Sequence, residues 1–154
     1  MKRGQFTVEF ILVLAVFLTV MATVSMPLYN NSRDTAQEGT ELMKAREAAG
    51  EIASALDTLY ASGIGARKKT TFWLPENVSE VSAKAVDNEL AVTITVKMNE
   101  TREVQSDTLL PSDWENRMDL GSIKGNPENP TYHEIVITLQ ENHGYNQYFN
   151  ISEV

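Results

Sequence analysis

The chain has 154 residues, 13 basic and 21 acidic side chains, a net charge of −8, and no cysteine. Without cysteine it has no disulfide framework, no thiolate metal site and no cysteine-linked lipid anchor. Its acidic balance argues against a general nucleic-acid binder, whose affinity comes largely from cations on phosphates. The length fits one domain with an appendage.

The appendage comes first. Residues 1–28 read MKRGQFTVEFILVLAVFLTVMATVSMPL, with Lys2, Arg3 and Gly4 ahead of an apolar run. No charge occurs from position 10 to position 28. A helical run of that length crosses a bilayer core, at ~1.5 Å rise per residue against ~30 Å of hydrocarbon. Glu9 stands among Phe6, Val8, Phe10 and Ile11. A carboxylate inside a membrane helix costs at least roughly 2.5 kcal/mol, so such groups usually have a partner and a role. Cleavage between Gly4 and Gln5 would supply one. Gln5 would then carry a free amine one helical turn from Glu9, within reach of the Glu9 of its own chain or of a neighbour. The carboxylate also complements the positive end of the helix dipole.

The string KRGQFTVEF followed by an apolar helix resembles the class III signal peptide of archaeal type IV pilins. Lys2, Arg3, Gly4, Gln5 and Glu9 carry the resemblance, and Thr7 stands where a small hydroxylated residue is common. It covers residues 2–28 and, loosely, the plan of the rest. The resemblance implies a precursor held in the membrane by its apolar helix and cut between Gly4 and Gln5 by a prepilin peptidase. It further implies assembly through that helix into a homo-oligomeric extracellular filament, with an assembly ATPase, a membrane platform protein and a role in surface adhesion. An ordinary secretory signal, cleaved after about Ala22, and an uncleaved signal anchor are the alternatives. Both leave a non-filamentous secreted or membrane-tethered binding domain.

Cutting at Gly4 takes the basic count from 13 to 11 and the net charge from −8 to −10. Asn30, Asn77, Asn99 and Asn150 each begin an N-x-[ST] sequon, the mark of a surface loop on an exported chain. Asn77, Asn99 and Asn150 are the candidate glycosylation sites, since Asn30 falls on the long helix, where packing can mask it.

Pro27 removes one helical hydrogen bond and predicts a kink or loosening there. The helical pattern nevertheless resumes. Leu42, Ala45, Ala49, Ile52, Leu56, Leu59 and Gly63 form a narrow apolar stripe, with Arg33, Asp34, Glu38, Glu41, Lys44, Arg46, Glu47 and Glu51 on the other faces. Gly39 and Gly50 weaken the helix and leave room for a neighbouring helix. Gly63 or Gly65 should cap it, with Arg67, Lys68 and Lys69 beyond complementing the dipole.

From Thr70 the period changes to two. Residues 71–74 make a short strand ended by Pro75. Val81, Ala83 and Ala85 mark a second, and Asp87-Asn88 a hairpin turn into the cleanest strand, Leu90, Val92, Ile94, Val96 and Met98. Arg102, Val104 and Ser106 suggest another after a turn at Asn99-Glu100. Residues 111–131 read as a long loop. Ile135, Ile137 and Leu139 give a strand, residues 142–144 a turn, and Tyr145, Phe149 and Ile151 the last strand. The predicted fold is α+β and type IV pilin-like: a long N-terminal helix, half hydrophobic and half amphipathic, on an antiparallel sheet of four to six strands. The organisation is a leader at 1–4, an apolar helix at 5–28, its amphipathic continuation at 29–65 and a β-rich head at 66–154.

Catalytic patterns are missing from the sequence. His133-Glu134 begins like H-E-x-x-H, but position 137 is Ile and the segment is a strand, so His133 reads as a packed or surface residue. His143 falls in a turn and reads as solvated. No P-loop, G-x-G-x-x-G or G-x-S-x-G occurs. Asp107, Asp113, Glu115 and Asp119 flank a loop without EF-hand spacing and read as a solvated acidic stretch rather than a calcium site. Trp73 and Trp114 read as core and loop anchors. The expectation is a non-enzymatic protein with no cofactor, no metal and no nucleic-acid partner.

Overall fold

The computed structural model describes residues 3–98, 100–125, 130–141 and 146–154, with side chains from position 8. The chain is α+β. One helix, α1 (Arg3–Ser62), precedes β1 (Arg67–Leu74), β2 (Val78–Val86), β3 (Glu89–Lys97), β4 (Thr101–Pro111), β5 (Thr131–Glu141) and β6 (Gln147–Glu153). A 3₁₀ turn, Ser112–Arg117, follows β4. Two compact units divide the chain, Met1–Gly39 and Thr40–Val154. The predicted turn at Asn142-His143-Gly144 and the start of the last strand at Tyr145 lie outside the described residues, as does Asn99.

The strands pair antiparallel in two three-stranded sheets, ordered β1-β5-β6 and β2-β3-β4, rather than in one. Alternation of apolar and polar residues decides which face each side chain takes. It does not decide which strand is the neighbour. Here β1 bonds to β5, far along the chain, and leaves β2, β3 and β4 to pair as a meander. The β2–β3 turn is as expected: Asp87 and Asn88 have φ of 48° and 72°, the two left-handed residues of a type I′ hairpin.

In the second unit, one core joins both sheets to the helix. Ala45, Ala48, Ala49, Ile52, Ala53, Ala55, Leu56 and Leu59 are buried against residues such as Leu74, Ile94, Leu110, Ile137 and Phe149. The buried helix face is thus wider than the predicted stripe, because Ala48, Ala53 and Ala55 join it. Small side chains on the flanks let β strands approach closely. Gly50 is not needed for this approach, since a Cβ there would meet Ser106 Oγ on β4 only at an ordinary contact distance of 4.0 Å. Its nearest neighbour within the chain is therefore a strand.

Helix α1 ends as predicted at Gly63, whose φ of 84° suits glycine and whose N–H donates to the Leu59 carbonyl at 3.0 Å. Gly65, φ 87°, then donates to the Leu139 carbonyl at 2.9 Å and delivers the chain to β5. Arg67, Lys68 and Lys69 lie just beyond the helix as expected, and two of them are engaged by specific partners. They open β1, where Lys69 pairs with Glu134 at 2.7 Å and Lys68 Nζ donates to Thr58 Oγ1 at 3.0 Å.

Strand β3 is buried on both faces rather than alternately. It is the middle strand, and its outward residues Ala91, Thr93 and Thr95 are short. Lys84 on β2 and Glu103 on β4 flank it, and their 2.7 Å ion pair spans it. The stretch after β4 is anchored to the core, not a free loop. Trp114, Leu120 and Ile123 are buried, with Trp114 5.5 Å from the Tyr60 ring and 5.1 Å from Phe149. Trp73, expected as an anchor, is instead 58% exposed, because Phe72 and Leu74 take the inward positions of β1.

Two substitutions test this core by denaturant unfolding of the full chain in detergent. Leu56→Ala should lower stability by about 2–5 kcal/mol, the usual cost of emptying a fully buried leucine site. Gly63→Ala should cost about 1–2 kcal/mol, the penalty for a Cβ in the left-handed region.

Candidate functional site

The exposed apolar surface of the first unit is the candidate site. Every described residue from position 8 to position 37 is exposed. Fourteen large apolar residues between Val8 and Leu28 are 44–69% exposed, Phe10 at 67% and Met26 at 69% among them. Contiguous apolar patches on a monomer in water rarely exceed a few hundred Å², so a surface like this implies an apolar surrounding. Burying each such side chain completely is worth about 1.5–3 kcal/mol. Among the described residues, α1 is the one helix long and apolar enough to cross a membrane.

The two threonines within the apolar stretch are satisfied by their own helix. Thr19 Oγ1 donates to the Ala15 carbonyl at 2.8 Å, and Thr23 Oγ1 to the Val20 carbonyl at 2.9 Å. These hydroxyls therefore enter an apolar medium already hydrogen-bonded. Pro27 lies inside α1, which continues past it. Glu9 is different. It is exposed, and no ion pair joins it to another described residue. Gly4 and Gln5 belong to α1, with the Gly4–Gln5 bond one helical turn before Glu9. An amine created at Gln5 would thus lie about 6 Å along the axis from Glu9.

The remaining candidates are scattered. Asn30 is exposed within α1, Asn77 is exposed in the turn between β1 and β2, and Asn150 is exposed on β6. His133 is packed, 3% exposed, stacked on Phe72 with its Nδ1 against Glu153 Oε1. His143 lies outside the described residues. Among the described residues no group of three or more His, Asp or Glu side chains gathers to hold a metal ion. Asp113 pairs with Arg117 at 2.8 Å, and Asp119 Oδ1 accepts from the Gly121 amide at 3.0 Å. Two clefts mark the second unit. One, about 420 Å³, is lined by Leu42, Met43, Arg46, Arg102, Val104 and their neighbours. The other, about 140 Å³, is lined by Lys44, Glu47, Glu51, Thr71 and Trp73 among others.

Two residues read only as part of the helix, or passed over, turn out to be fastenings. Glu41, placed on the outer faces, accepts the Glu76 amide through Oε2 at 3.0 Å. Asp57 accepts the Leu109 amide through Oδ1 at 2.8 Å. That amide lies where the β3–β4 register is irregular, between the pairings Glu89↔Pro111 and Ala91↔Asp107. Thr108 completes the repair, its Oγ1 donating to the Leu90 carbonyl at 2.8 Å and accepting from the Leu110 amide at 3.2 Å. Acidic residues facing a register break leave no periodic signal in the sequence.

No protein-family model, no curated protein and no solved structure matches the chain.

Phe17→Asp should raise the cost of membrane insertion by about 2.5–3.5 kcal/mol, and the fraction of chain in washed membranes should fall accordingly. Asp57→Ala should cost the fold about 1 kcal/mol by leaving the Leu109 amide without its acceptor, and Asp57→Asn should recover most of the loss in the same unfolding measurement.

Proposed function

We propose that this chain is the structural subunit of an extracellular filament of the type IV pilus kind, resembling archaeal pilins and serving surface adhesion. The observation that carries the reading is an N-terminal helix exposing an unbroken apolar surface, with a single carboxylate four residues after a Gly-Gln bond. The precursor rests in the membrane through that helix. Prepilin peptidase cuts between Gly4 and Gln5. The same apolar surface then leaves lipid and is buried against sister helices, an exchange between two apolar surroundings. Glu9 answers the new amine of Gln5 on its own or a neighbouring subunit, which removes its cost in either setting. The head is non-catalytic and faces outward. The assembly ATPase and the platform protein follow from the resemblance alone.

The mature N-terminus decides first. Sequencing protein sheared from the cell surface should begin at Gln5. A start at Met1, or after about Ala22, overturns the proposal in favour of a tethered or secreted domain. Glu9→Ala should cut filament yield on the cell surface at least tenfold by electron microscopy while leaving the membrane-inserted precursor unchanged. Wild-type filament yield from that variant would remove the pairing role.

A further inference from the structure

Three of the four sequons have their acceptor among the described residues, and each stands on a different backbone. Asn30 is inside α1. On a helix, residues two apart do not share a face, so the Asn30 amide and the Ser32 hydroxyl diverge. Asn150 is in β6, paired with Thr138. There the acceptor and Ser152 share a face but are held about 6.6 Å apart by the extended ladder. Asn77 alone is outside both. It sits in the turn before β2 with φ 62°, a left-handed conformation that asparagine tolerates better than most residues. Its side chain is exposed, and its carbonyl accepts the Lys97 amide at 2.8 Å, which holds the turn to β3. Ser79, two residues on, is also exposed. Its hydroxyl donates to the Thr95 carbonyl at 3.2 Å, long for an O–H···O bond and easily given up.

We propose that Asn77 carries an N-linked glycan and that Asn30 and Asn150 do not. The donor is a lipid-linked oligosaccharyl phosphate. Asn77 Nδ2 forms a bond to the anomeric carbon of the first sugar as the carbon–oxygen bond to the lipid phosphate breaks. The phosphate leaves with the electron pair, and one Nδ2 proton passes to a base of the transferase. Asn77 lies in a turn outside the ladder, and Ser79 falls at the start of β2 where the register with β3 is irregular, between Val78 and Glu80, so this corner can enter such an enzyme by giving up one long hydroxyl bond rather than by unfolding the sheet.

The proposal rests on the filament reading only in requiring export to meet that donor. The test is peptide mass spectrometry on the full chain recovered from the surface of its source cells. The peptide bearing Asn77 should show a saccharide increment, with the peptides bearing Asn30 and Asn150 at their bare masses. Asn77→Gln would place a less tolerant residue at positive φ, so the decisive variants are at Ser79. Ser79→Ala should abolish the increment, and Ser79→Thr, which keeps the sequon, should retain it. A bare Asn77, an increment surviving in Ser79→Ala, or sugar on Asn30 or Asn150 overturns the assignment. The same spectra read the N-terminus. A chain starting at Gln5 with bare Asn77 sinks this proposal alone, and one starting at Met1 with modified Asn77 sinks only the filament.

Discussion

The constraint on which the rest of this protein depends is the apolar surface of α1 between Val8 and Leu28, which no described part of the chain covers. Water is an expensive neighbour for so much hydrocarbon, at about 25 cal/mol per Å². Such a segment stays in lipid or goes against other proteins. Its two threonine hydroxyls, Thr19 and Thr23, are bonded to the preceding turn, and a single carboxylate stands near one end. In the proposed assembly, that carboxylate makes the free energy of the helix depend on a nearby cation.

The second unit solves a different problem. It must pack a helix and two small sheets without orphaning the backbone between them. Apolar burial is supplied by an alanine-flanked helix face and the inward residues of both sheets. Where the β3–β4 ladder loses register, side chains replace the missing partners, Asp57 for the Leu109 amide and Thr108 for the Leu110 amide. An unpaired buried amide costs about 1–3 kcal/mol, so the Thr108 contact to buried Leu110 is the one that allows the irregularity to persist, while Asp57 fastens the exposed Leu109 to the helix. Glu41 makes a matching contact to the Glu76 amide. The helix is therefore held to its strands by directed bonds as well as by apolar packing.

Much of this was legible in the sequence. The apolar run, the glycine stop at Gly63, the Asp87-Asn88 hairpin and the strand centred on Ile94 all follow from local periodicity and turn chemistry. The division into two sheets was not legible, because pairing between β1 and β5 is a long-range choice that alternation leaves open. Nor was the double burial of β3, which comes from its central place and from the Lys84–Glu103 pair across it. Trp73 was misplaced for a simpler reason: tryptophan is usually buried, but the inward positions of its strand belong to Phe72 and Leu74. For the candidate site, the exposed apolar run was readable from composition, whereas Gly4, Gln5 and Glu9 are put forward from residue order alone. The fastening role of Asp57 was not, since an acid on a helix looks the same whether it meets solvent or an amide 52 residues away.

Thr19 and Thr23 have one last implication. Because each hydroxyl is engaged by its own helix, what the rod offers a sister rod at those positions is chiefly a methyl group. Contacts of that sort are nondirectional and favour many azimuths about equally. In the proposed assembly, axial register is then set by one charge pair while rotation about the long axis is only softly restrained. Subunits so joined could settle into bundles of differing helical symmetry and yield under torsion without breaking any bond.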